Sequence, residues 1–158
     1  MKKKVLFVII SVIFIVVIAS YFSFRFQKKL IDETSPKILS ELIIPYSELI
    51  KNKEYEKAYN DMTTESYKER HTLKDYLQSQ KQNNDYFGNL VAMKLTSGIF
   101  MKMFDKENKW IYRGTIDYIA SKKSTKFTID VALENGVFKI ARTYPSQITI
   151  RNSVPMIF

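Results

Sequence analysis

From Val5 to Phe24 the chain runs for 20 residues without a charge, broken only by serines and one tyrosine. At 1.5 Å per helical residue such a run is about 30 Å long, the thickness of a bilayer's hydrocarbon core. Being apolar all round, it has no polar face to turn to water, so it is either held in lipid or removed. Lys2-Lys3-Lys4 precede it, and Val17-Ile18-Ala19 resembles a signal-peptidase site. The apolar run passes that point through Tyr21, Phe22 and Phe24, which favours a retained anchor over a cleaved leader. Lys2, Lys3 and Lys4 on one side nearly balance Arg25, Lys28 and Lys29 on the other. The short basic head before the hydrophobic run sets the expectation: one pass through an inner or plasma membrane, with the domain outside the cytoplasm.

The remainder fits one ordinary domain. Residues 1–24 read as the anchor, 25–35 as a juxtamembrane linker, 36–152 as the domain and 153–158 as a tail. With no cysteine and only His71, a thiol nucleophile, a disulfide framework, a Cys-based zinc site and a two-histidine metal motif are all excluded. Three of the 25 Lys and Arg lie ahead of the apolar run, leaving 22 against 16 acidic residues. That excess is interspersed with acids and forms no arginine-rich stripe, so nucleic acid is disfavoured as a partner. The four glycines, Gly88, Gly98, Gly114 and Gly136, are scattered and build no phosphate-cradling loop. No nucleophile elbow is present, and His71 in Glu69-Arg70-His71-Thr72 reads as a solvated or capping residue. No catalytic residue, metal or cofactor is assigned.

Asp32 to Ser35 reads as a polar joint, with Ser35-Pro36 as N-cap and first position of a helix. Ile38, Leu39, Leu42, Ile43, Tyr46, Leu49 and Ile50 follow at helical spacing, with Pro45 expected to kink or split the helix. Tyr55, Ala58, Tyr59 and Met62 mark a second helix. Thr72 and Asp75 form a capping-box start for a third, with Leu73, Tyr76 and Leu77 on its inner face. From Leu90 the pattern alternates, and turn signals at Asp105–Asn108, Ser121–Ser124 and Asn135-Gly136 divide the rest into four strands of an antiparallel meander. Helices first and a sheet afterwards predict an α+β layer fold.

In that order, "YSELIKNKEYEKAYNDM" from Tyr46 to Met62, "TTESYKERHTLKDYL" and the closing "ENGVFKIA" resemble the NTF2-like superfamily, in particular its small membrane-tethered extracytoplasmic members. The resemblance covers nearly the whole domain. It implies a cone of about three helices packed on a curved four-stranded antiparallel sheet, enclosing a cavity used for catalysis, ligand binding or assembly. It implies fold, not activity. The anchored NTF2-like component of type IV secretion and conjugation machinery shares this fold and a single anchor, with a longer cytoplasmic head.

Strand alternation sorts the side chains. Trp110, Tyr112, Gly114, Ile116 and Tyr118 should share the core face with Phe127, Ile129, Val131 and Leu133. Arg113, Thr115 and Asp117 should share the outer face with Thr128, Asp130 and Ala132. With Ile111 and Ile119 adding apolar surface, that face is the expected interface, a homodimer being the usual outcome. Tyr55, Tyr59, Tyr76, Trp110, Tyr112 and Tyr118 either line a ligand pocket or form plain core. Pairing outward from Asn135-Gly136 sets Arg142 at the inward position beside Ile129 and Tyr144 near Phe127. Arg142 then either escapes to water through a bulge or anchors a small anionic ligand. The leading expectation is a non-enzymatic domain for ligand binding or assembly. The alternatives are a small cavity hydrolase or isomerase and a secretion-complex component.

Overall fold

The computed structural model describes residues 2–102 and 110–145. The chain is α+β: a long apolar N-terminal helix leads into shorter helices and then a four-stranded antiparallel sheet. The first helix, α1, spans Lys2–Ile38. A π-helical turn, Leu39–Ile43, joins it without a break to α2, Ile44–Lys51. The stretch from Ile9 to Lys51 is long and apolar enough to cross a membrane, and its most apolar window has no residue buried against the rest of the chain.

Two expectations are corrected along this helix. Asp32 to Ser35 form no joint, and no helix begins at Pro36, because the helix is already under way and carries Pro36 inside it. Proline within a helix removes one hydrogen bond and crowds the carbonyl four residues back. Pro36 is exposed, so that carbonyl meets water. Pro45 does not split the helix either. The wide turn before it, in which the Ile44 N–H reaches back five residues to the Leu39 carbonyl, makes room for its ring. The same turn aligns the buried stripe: Ile38, Leu42, Tyr46 and Ile50 recur every four residues, ahead of a 3.6-residue turn, and the extra width takes up the difference.

After α2 the chain turns at Lys53, which sits in the left-handed region at φ 62° while the Glu54 N–H returns to the Leu49 carbonyl (2.9 Å). Helix α3 covers Tyr55–Met62, and the four-residue α4, Glu65–Lys68, is capped by the Thr64 hydroxyl. Helix α5, Leu73–Phe87, starts with the expected capping box between Thr72 and Asp75. The strands are β1 Leu90–Lys102, β2 Trp110–Ala120, β3 Thr125–Glu134 and β4 Val137–Pro145, in the order β1-β2-β3-β4. Asn135 and Gly136 both take positive φ, as a tight hairpin requires. The turn signal at Asp105–Asn108 lies outside the described residues.

One core cluster joins Ile38, Leu42, Tyr46 and Ile50 of the long helix to Tyr67, Tyr76 and Phe87 and to Tyr112, Ile116, Phe127, Ile129 and Val131 of the sheet. The expected inner face holds except at its ends, where Trp110 is 62% and Leu133 59% exposed. The long helix is fastened to the sheet below that cluster as well. Ser35 Oγ lies 2.8 Å from the Tyr112 hydroxyl, and Gln27 Nε2 donates to the Phe100 carbonyl (3.3 Å). Tyr112 reaches Ser35 by lying flat across Gly98, where a Cβ would collide with its ring and hydroxyl. Gly98→Ala should therefore destabilise the domain by about 1–3 kcal/mol through overpacking, and Ser35→Ala by about 1 kcal/mol through the lost hydrogen bond. Urea unfolding checks both, and a neutral Gly98→Ala would contradict this packing.

Candidate functional site

Four of the residues expected around a pocket, Tyr59, Tyr76, Tyr112 and Tyr118, are buried in the core cluster. Tyr59 and Tyr76 pack against each other with ring centroids 5.4 Å apart, and Tyr67 stands edge-on to both. The Tyr76 and Tyr46 hydroxyls are 2.9 Å apart, and the Tyr59 hydroxyl donates to the His71 carbonyl (2.8 Å). Tyr118 packs between Phe87 and Phe127. These rings are packed into the core. Tyr112 is held at Ser35, Trp110 stands exposed at the end of the sheet, and the half-buried Tyr55 lines an open depression of ≈ 370 Å³ with Leu77 and the charged residues Lys53, Glu54, Glu56 and Lys57.

Of the two readings of Arg142, the structure has the bulge and not the inward position. Counting from the hairpin, Phe138 pairs with Leu133 and Ile140 with Val131, as expected, but the register then shifts by one. Ala141 is the extra residue of a β-bulge, so Arg142 stands opposite Asp130 on the outer face and Thr143 takes the inner place beside Ile129. Tyr144 moves with it, to face Thr128. The bulge is supported from the helical side: the Ile140 carbonyl accepts the Thr64 N–H (3.0 Å), and the Ala141 carbonyl accepts Arg70 Nη2 (2.6 Å).

On the outer face this shift completes a polar network. Arg113 grips Asp130 with two hydrogen bonds, Nε to Oδ1 at 2.7 Å and Nη2 to Oδ2 at 2.8 Å. The Tyr144 hydroxyl donates to Asp130 Oδ2 (3.0 Å), and the Arg113 guanidinium lies 5.2 Å from the Tyr144 ring centre. Asp130, expected to be exposed, is fully buried beneath these partners. Their hydrogen bonds to its carboxylate hold the Arg113 guanidinium above its usual range. Next to them Thr115 and Thr128 face each other across the β2–β3 ladder, and Lys126 pairs with Asp117 at 3.4 Å. Ile111 is buried and Ile119 half-buried, so neither supplies the expected apolar surface; Ile99, opposite Arg113, is 52% exposed and does.

Three features escaped the sequence reading. Tyr67 sits on α4, too short to show periodicity, and only the Thr64 cap marks it. His71 is half-buried with its ring 4.8 Å from that of Tyr67, and burial together with neighbouring Arg70 lowers its pKa, which favours the neutral imidazole. Asn83 is 2% exposed on the buried face of α5, with neither carboxamide atom partnered in the protein. Among the described residues no group of three or more His, Asp or Glu could hold a metal ion. No family model, no curated protein and no solved structure matches the chain.

The tyrosine core carries a pH dependence. Burial pushes the Tyr67 and Tyr118 hydroxyls up to about 12, and it raises Tyr46 and Tyr76 as well. A phenol is neutral when protonated, and in the unfolded chain it ionises near its ordinary value of about 10. The stabilisation is therefore complete below pH 10 and is lost as pH rises from there through about 12, because the unfolded state releases its protons first. The urea midpoint should stay flat between about pH 8 and 10 and fall above it, and Tyr118→Phe should fall less steeply. A native midpoint that does not change across that window would contradict a buried tyrosine core.

Proposed function

We propose that this chain is a membrane-anchored, NTF2-like domain that acts by protein assembly rather than by catalysis, outside the cytoplasm, with a second copy of itself as the partner at the outer face of the sheet. One observation carries the reading: the apolar helix continues into the domain core, where its residues and those of the shorter helices are buried on the inner face of the sheet. The outer face then keeps a constant orientation to the membrane. Copies anchored in one bilayer would hold these faces at a common height, which raises their effective concentration and lets a modest interface suffice.

Two further features favour assembly over chemistry. The interior is filled by packed tyrosines, and among the described residues the one buried carboxylate, Asp130, is paired with Arg113 and hydrogen-bonded by Tyr144 on the opposite side of the sheet. The extracytoplasmic placement follows from the resemblance to tethered members of the superfamily.

The native chain has no cysteine, so a single introduced thiol reports only on neighbouring copies. In membranes under mild oxidation, Thr115→Cys and Thr128→Cys should give covalent dimers, while Glu56→Cys on the exposed side of α3 should not. Monomer only at both threonine positions, or equal cross-linking at all three, would refute the outer-face interface.

A further inference from the structure

The fastening of the long helix to the sheet sets the height of the sheet above the membrane. The apolar run ends at Phe24, and three residues later Gln27 bonds to the Phe100 carbonyl on β1. Two turns further on, Ser35 meets Tyr112, whose ring lies over Gly98. Higher helix numbers thus face lower β1 numbers, so β1 runs back along the helix toward the apolar segment. It continues past Phe100 to Lys102, which pairs with Trp110 at the start of β2. Those two extra residues advance up to about 7 Å, the rise of four to five helical residues at about 1.5 Å each. The end of the β1–β2 ladder therefore lies between the level of Gln27 and that of the last apolar turn around Phe22.

That level has the chemistry of a headgroup layer. Trp110, on the helix-facing side, is 62% exposed, and Lys102 is exposed beside it. On the helix, Arg25 Nε donates to the Tyr21 hydroxyl (3.0 Å), and Lys28 and Lys29 follow. Tryptophan and tyrosine concentrate where hydrocarbon gives way to headgroups, and lysine and arginine there meet lipid phosphates. A tryptophan left exposed to water would gain most from such a layer.

We propose that the end of the β1–β2 ladder is a second membrane contact, with Trp110 in the headgroup layer of the bilayer that α1 crosses and Lys102 at its phosphates. The contact rests on the anchor reading, and it would turn a domain hung from one helix into one seated on the membrane at two points.

Trp110 is the only tryptophan, so the emission of the full chain reports on this place alone. The chain is reconstituted in phosphatidylcholine vesicles, floated to select bound protein, and compared in vesicles whose acyl chains carry bromine near the headgroup or near the methyl end. The contact predicts that shallow bromines remove most of the Trp110 emission and deep bromines little, with weak quenching by iodide in the water. Floated protein whose emission is untouched by either bromine and strongly quenched by iodide overturns the contact and leaves the anchor standing. Protein that does not float overturns both.

Discussion

The structure depends on one continuous ladder of helical hydrogen bonds, carried from a segment apolar on every side into a segment apolar on one. Through Phe24 every face of the helix suits lipid; from Ile38 onward one side is buried in the domain, with Ile38, Leu42, Ile43, Tyr46, Leu49 and Ile50 in the core. Between them, Gln27 and Ser35 hold the helix to β1 and β2 by polar contacts that a hydrocarbon environment would not favour. Because the same helix serves both regions, the domain has little freedom to swing about its anchor. Both prolines fall where the helix can absorb them, Pro36 at an exposed position and Pro45 just after the wide turn.

A fixed helix gives the two faces of the sheet different tasks. The inner face meets a layer of tyrosines whose hydroxyls find partners within the protein, so their burial adds apolar contact without leaving those polar groups unsatisfied. Asn83 is the exception in that interior, a carboxamide that calls for a water or another polar group. The outer face carries the network of Arg113, Asp130 and Tyr144, with Arg142 opposite Asp130 and the Lys126–Asp117 pair nearby, and Thr115 and Thr128 as the small polar pair among them. A face built this way resists non-specific pairing yet has the hydrogen-bonding groups that a matched partner can use.

Much of this was legible from periodicity. The switch from helical to alternating pattern at Leu90, the hairpin at Asn135-Gly136 and the capping box at Thr72 are local signals, and each appears where its residues place it. The failures share a cause: a local signal overruled by contacts distant in sequence. Ser35-Pro36 has the composition of a helix start, yet Ser35 is turned to Tyr112, 77 positions away, and the helix runs through it. Alternation from the hairpin sorts Phe138 and Ile140 correctly and then fails at Ala141, because the bulge is tied to Thr64 and Arg70, which no reading of β4 alone could reveal. That single slip puts Arg142 and Tyr144 on the outer face.

The central claim is that the apolar segment and the domain are one rigid body, with continuous helix from Phe24 to Ile38. Amide hydrogen exchange of the full chain in lipid bilayers tests it directly, read over residues 27–38. Continuous helix docked on the sheet predicts slow exchange there, comparable to that of residues 42–50 in the core. Exchange over 27–35 at the rate of an unstructured peptide, beside a protected core, would show a flexible tether and contradict the account.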